Sequence, residues 1–155
     1  LADVTVRNCV FLTRKTAMKV GTETKAARMS GILFENNDII ESDRAMALYC
    51  YDGATFENIR FINNRVERNY PDRMQRVLQF EIKKRFGQGH IKNVLVKDLY
   101  ILQQFPKGSD MTGLDENHVI DGVTFENVVI GGKCMTDPDD LGIILTPFVK
   151  NVVVK

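Results

Sequence analysis

The sequence is short of cysteine and histidine, has no excess of either charge and contains no long apolar run. Each lack removes a class of protein. Cys9, Cys50 and Cys134 are odd in number and share no metal-type spacing, which speaks against a disulfide framework and a zinc site. With 21 Lys plus Arg against 20 Asp plus Glu, the net charge is +1. The clustered positive excess that a nucleic-acid partner wants is missing. No apolar run approaches the ~18 residues of a membrane span, so no membrane partner is expected. The two histidines, His90 and His118, stand in no Cys or Ser arrangement that forms a catalytic set, and both read as loop residues. The chain opens on Leu1-Ala2-Asp3-Val4, a strand-like pattern and not a signal peptide, so a secreted protein is expected here only in processed or truncated form.

What is present is a repeat. At 155 residues, 44% of them hydrophobic, the chain has the size and core content of one domain, 1–155. A twelve-residue window recurs at Leu1–Leu12, Met29–Ile40, Phe56–Glu67, Ile91–Leu102 and Ile120–Gly131, and a sixth copy begins near Val149. Its fourth position reads Val4, Ile32, Ile59, Val94, Val123 and its sixth Val6, Phe34, Phe61, Val96, Phe125. The eighth reads Asn8, Asn36, Asn63, Asp98, Asn127 and the eleventh Phe11, Ile39, Val66, Ile101, Ile130. Successive copies are 28, 27, 35, 29 and 29 residues apart.

Alternation at positions four and six is period two, so each window begins as a strand with one face buried. The Asn or Asp at position eight ends the strand at a bend, and stacked copies predict a ladder of side-chain amides. A period near 28 is too short for a strand plus a full helical crossover. It suits a coil of two or three short strands. The second strand of each coil is expected at Ala17–Gly21, Ala45–Tyr51, Val77–Ile82 and Gly142–Leu145, and the fourth coil shows no clear candidate. Met18, Val20, Met46, Leu48, Cys50, Leu78, Phe80 and Ile82 then point inward. The predicted fold is all-β, a right-handed parallel β-helix of about five coils. The one stretch with a helical look lies near Asp72–Arg76. Because the chain begins and ends inside a repeat, it reads as the C-terminal part of a longer solenoid. Association of copies through the open end is the expected route to a homo-oligomer.

Three segments carry a family resemblance: Val4–Phe11 (VTVRNCVF), Ala17–Thr24 (AMKVGTET) and Ile32–Asn37 (ILFENN). They resemble the polygalacturonase family of glycoside hydrolases, especially divergent bacterial members with a KIGTET-like strand, within the pectin-lyase-like right-handed β-helices. The resemblance implies inverting hydrolysis of a uronic-acid-containing polysaccharide outside the cell or in the periplasm. One carboxyl protonates the leaving oxygen and others activate water, while an Arg and a Lys hold the sugar carboxylate. The family's Asn-Thr-Asp and Gly-His-Gly motifs do not occur in this chain, and its Arg-Ile-Lys strand aligns with Lys19-Val20-Gly21. The family's acidic motifs lie N-terminal to that strand, where only 18 residues stand here.

The outward row of the second strands is the surface to search. It carries Lys19, Gly21 and Glu23, then Ala47, Tyr49 and Tyr51, then Gln79, Glu81 and Lys83. Register stacking predicts Glu23, Tyr51 and Lys83 side by side, with Tyr49 beside Glu81. Tyrosine faces stack on sugar rings while charged groups take the ring substituents. Glu23 and Glu81 are the candidate catalytic carboxylates; Lys19, Tyr49, Tyr51 and Lys83 are the candidate substrate-binding residues. An ordinary solvated sheet face, with Glu23 paired to Lys83, is the plain alternative. The run Lys83-Lys84-Arg85 falls in the longest repeat interval and suits an anionic polysaccharide, or simply water. Asp137-Pro138-Asp139-Asp140 reads as a turn before it reads as a Ca²⁺ loop. No metal and no cofactor is expected. Cys9 and Cys50 are expected to pack as small buried hydrophobes. A non-catalytic sugar-binding solenoid, a structural segment and a lyase are the other readings of the same chain.

Overall fold

The computed structural model describes residues 1–67, 76–103 and 108–155. The first coil contains β1 (Ala2–Arg7), β2 (Val10–Leu12) and β3 (Thr16–Thr22). The second contains β4 (Arg28–Glu35), β5 (Asp38–Glu41) and β6 (Arg44–Asp52). The third contains β7 (Thr55–Ile62), β8 (Arg65–Val66) and β9 (Arg76–Gly87). In the fourth, β10 (His90–Ile101) is followed by β11 (Asp110–Thr112). In the fifth, β12 (Ile120–Ile130), β13 (Lys133–Cys134), a 3₁₀ turn at Pro138–Leu141 and β14 (Ile144–Leu145) follow one another, before β15 (Val149–Val154) starts another turn. The coils stack into a parallel β-solenoid of about five turns.

The repeat is the register. Val4 pairs with Ile32, Ile32 with Ile59, Ile59 with Val94, Val94 with Val123 and Val123 with Val152. The sixth position stacks likewise from Val6 to Val154. The sixth copy therefore starts at Val149 with no slip. Branched and aromatic residues at these positions fill the interior, where Phe34 and Phe61 lie parallel at 5.2 Å and Phe61 and Phe80 at 6.2 Å. A separate face is built by β3, β6, β9, β11 and β14, all parallel. Its inward residues Met18, Val20, Met46, Leu48, Cys50, Leu78, Phe80 and Ile82 are all buried, as the alternation predicts. The fourth coil supplies β11, where the sequence pattern gave no strand, and Gly142 is a left-handed turn residue ahead of β14.

The asparagine column is a row of left-handed residues. Asn8, Asn36, Asn63, Asp98 and Asn127 have φ between 50° and 56°, a conformation that Asn tolerates better than other side-chain-bearing residues. Their side chains form the predicted ladder: Asn36 donates to Asn8 at 2.7 Å and Asn127 to Asp98 at 2.7 Å. The bend ends β1, β4 and β7. In β10 and β12 pairing resumes on both sides of it, so these strands run on through the corner. A second ladder is internal. Asn64 Oδ1 accepts from the backbone N–H and the side chain of Asn37, each at 3.0 Å, and Asn64 donates to the Phe34 carbonyl. Both residues are fully buried.

Two expectations change, those for Cys9 and His90. Cys9 is half-buried, with its thiol on the Arg7 carbonyl and its N–H on the Asn37 side chain; Cys50 is buried as expected. Burial pushes the Cys50 thiol up to about 12. His90 is a strand residue and not a loop residue: it opens β10 opposite Thr55, with its ring stacked on His118 at 5.6 Å. The helical look near Asp72–Arg76 lies outside the described residues except for Arg76, which opens β9. Asp137–Asp140 is a capped 3₁₀ turn: Asp137 accepts from the Asp139 N–H at 2.8 Å and Asp140 from the Thr136 N–H at 2.7 Å. Those carboxylates are spent on the turn. No cluster of metal-ligating side chains occurs among the described residues, nor does any helix long and apolar enough to cross a membrane.

Candidate functional site

The outer side of the β3–β6–β9–β11 face carries a connected polar network. Parallel register places Tyr49 opposite Glu81, and Ala47 opposite Gln79, with Gln79 opposite Asp110. Tyr49 donates to Gln79 Oε1 at 2.8 Å. The Gln79 amide donates to Glu81 Oε1 at 3.0 Å and to Asp110 Oδ2 at 3.1 Å. Glu81 Oε2 also accepts from the Tyr51 hydroxyl and, at 2.8 Å, from Lys83 Nζ. Arg76 pairs with the same Asp110 oxygen. The two tyrosine rings lie 5.4 Å apart, tilted by 34°, and Lys83 Nζ is 5.3 Å from the Tyr51 ring centre.

Burial sets the chemistry of this network. It raises the Tyr49 hydroxyl above its ordinary value, and it raises that of Tyr51 much further, with the Glu81 carboxylate adding to the effect. Both tyrosines are therefore neutral hydrogen-bond donors with apolar faces, and neither is a nucleophile at neutral pH. Glu81 is buried and accepts three hydrogen bonds, so it serves as an anchor for the surrounding donors.

Four of the six predicted site residues meet here: Tyr49, Tyr51, Glu81 and Lys83. Lys19 and Glu23 do not join them. Lys19 is exposed on β3 opposite Ala47. Glu23 lies beyond the end of β3, its side chain 79% exposed, and it pairs with Arg85 at 3.5 Å instead of standing beside Lys83. The reason is a bulge. Cys50 pairs with Ile82, but Asp52 pairs with Gly87; two steps along β6 match five along β9, so three extra residues loop out. Lys83 to Phe86 form this bulge, and all four are exposed.

The bulge accounts for part of the long repeat interval. The remaining extra residues fall between Val66 and Arg76, where ten steps match the five from Ile39 to Arg44. The Arg85 guanidinium anchors the bulge on Asp52 with two bonds of 2.8 and 2.6 Å. Sequence reasoning missed Asp52, Asp110 and Arg76 as partners. Asp110 stands in the coil without a readable strand pattern, and Asp52 becomes Arg85's partner only through the register shift.

Position 21 holds glycine for a steric reason. Its φ is +102°, and a Cβ there would lie 2.2 Å from the Tyr49 carbonyl oxygen. The backbone of the first coil approaches β6 too closely for any side chain at this position.

The chain matches no known protein-family model, no curated protein and no solved structure.

Proposed function

We propose that this solenoid is a carbohydrate-active protein that takes an acidic, uronic-acid-containing polysaccharide on the outer face of β3, β6, β9 and β11. The observation that carries the reading is the assembly at Tyr51: an aromatic ring beside a second ring, with Lys83 over it and the Glu81 carboxylate on its hydroxyl. Aromatic faces take the apolar side of a pyranose, and the ammonium group takes its carboxylate. Amide and hydroxyl groups fixed in a network are preorganised for ring hydroxyls, which lowers the cost of binding. The resemblance of Ala17–Thr24 to the polygalacturonase strand points to the same class of ligand.

Binding is better supported than turnover. Glu81 is already engaged by Tyr51, Gln79 and Lys83 and serves as a scaffold for them. Hydrolysis of the bound chain is the second reading. It is favoured by Glu23, an exposed carboxylate at the end of the strand that carries the family resemblance. The test is electrophoresis in gels containing polygalacturonate or a neutral glucan, with mass spectrometry of oligosaccharides after incubation. Retardation by polygalacturonate alone supports the binding reading, and products that have gained water add hydrolysis, with Glu23→Gln the variant to abolish it. Equal mobility in all gels, with substrates intact, overturns both.

A further inference from the structure

The Lys83–Phe86 bulge does more than interrupt the sheet. Phe86 is 74% exposed, so its ring stands open to solvent on an anchored segment. The anchor is firm. The Asp52 side chain is only 1% exposed and holds Arg85 through both guanidinium arms. Gly87 fits at the base because a Cβ there would meet the Asp52 carbonyl at 2.7 Å.

The bulge also reaches backward. Arg85 belongs to the third coil yet pairs with Glu23 of the first, and Phe86 packs under Lys25 of the first. Coils are spaced by ~4.8 Å, so the bulge spans roughly 10 Å along the solenoid axis and borders the polar face that holds Tyr51 and Glu81. Lys25 Nζ and Arg85 Cζ each lie 5.2 Å from the Phe86 ring centre. The two cations differ in degree: Arg85 is in direct ion pairs with Asp52 and Glu23, whereas Lys25 acts on Asp52 only through space and has the Phe86 ring as its close partner, with no ion pair among the described residues.

We infer that Phe86 and Lys25 form a separate sugar subsite on the wall of the proposed binding face. A pyranose ring stacks on Phe86 and its carboxylate pairs with Lys25. The bound chain then runs along the solenoid axis, from Tyr51 and Lys83 toward the first coil. This assignment rests on the acidic-polysaccharide reading above, and it adds a direction and a second contact point. Arg85 and Asp52 are positioning residues that hold the ring in place.

Calorimetric titration of the full chain with acidic oligogalacturonates, and with the same oligosaccharides methyl-esterified, tests it. Phe86→Ala removes the stacking surface and is expected to weaken binding of both about tenfold, the scale of one exposed stacking contact. Lys25→Gln removes only the charge: acidic ligands weaken about tenfold, and esterified ligands bind as before. Both side chains are on the surface, and thermal melts identical to wild type verify that the variants fold. If both variants bind acidic ligands like wild type while Tyr51→Ala loses them, the Phe86 subsite is overturned and the face remains. If wild type binds no acidic oligosaccharide, the subsite falls together with the reading it rests on.

Discussion

Arg85 and Asp52 are 33 residues apart in sequence and joined by a forked pair, Nε to Oδ1 at 2.8 Å and Nη2 to Oδ2 at 2.6 Å. This pair turns three surplus residues in β9 into a fixed wall. Without it, Lys83-Lys84-Arg85-Phe86 is a charged loop in water. With it, one aromatic ring and several cations are held beside the tyrosines of β6.

Replacing Asp52 by Asn therefore loosens the bulge first. Amide hydrogen exchange at residues 83–87 is expected to quicken at neutral pH, while exchange in β6 and β10 stays slow. The Arg85 guanidinium holds Asp52 below the usual carboxylate range. Its contribution is thus complete above the unfolded value of about 3.9 and is lost as pH falls through the lower folded value. The difference between wild type and Asp52→Asn should shrink in acid; a difference that is constant with pH contradicts the pair's role.

A side chain at position 21 should harm the fold. Gly21→Ala places a Cβ against the Tyr49 carbonyl at a φ of +102° and is expected to cost more than about 1 kcal/mol. Gly21→Lys, with a longer side chain at the same point, should cost at least as much. Urea denaturation measures both, and a neutral Gly21→Ala contradicts the close approach of the two coils.

The internal asparagines can be tested apart from the external ones. Asn64→Ala removes the acceptor of the Asn37 backbone N–H and one of the two acceptors of its side-chain amide, which keeps the Val6 carbonyl, and it removes the donor to the Phe34 carbonyl. At about 1–3 kcal/mol for each buried group left unpaired, a loss of several kcal/mol is expected in denaturant unfolding. Asn63→Gly, on the exposed ladder, keeps the left-handed backbone and should cost less than about 1 kcal/mol.

His90 makes stability depend on pH near neutrality. Burial holds its value below the ordinary 6.5, helped by Lys92 and His118 and opposed by Asp115. Its Nδ1 is buried without a hydrogen-bond partner, and His118 is held by Asp115 at 2.7 Å. A lowered histidine favours the neutral fold, so the stabilisation is complete above about 6.5 and disappears as pH falls through the folded value. The thermal midpoint should drop between pH 7 and pH 5 in wild type and drop less in His90→Asn. Parallel curves for the two proteins would contradict it.

The fold was legible because the solenoid stacks equivalent positions directly. The alignment of Val4 with Ile32, Ile59, Val94 and Val123 in sequence is the same list as the hydrogen-bonded register. The left-handed corners were legible as asparagines. The site was only half legible, since alternation places side chains correctly as long as pairing is regular. It put Tyr49 opposite Glu81 and Tyr51 beside Lys83, but it did not show that Tyr51 and Lys83 both bond to Glu81. The register then slips by three residues, and everything beyond the slip changes partner, so Glu23 meets Arg85 and not Lys83. Asp110 was hidden for a different reason: β11 is only three residues long, too short for period two to show. Gly21 was not legible as a close approach in sequence, and only the neighbouring coil shows why no side chain fits there.

The central claim is that acidic sugar chains bind the Tyr51–Lys83 face. The most direct measurement is calorimetric titration of wild type and Lys83→Gln with acidic oligogalacturonates, repeated at rising salt. The account predicts binding by wild type that weakens with salt, and a loss of about tenfold or more in Lys83→Gln, the scale of one charge-assisted hydrogen bond. Wild type and Lys83→Gln binding alike, or neither binding at all, would contradict it.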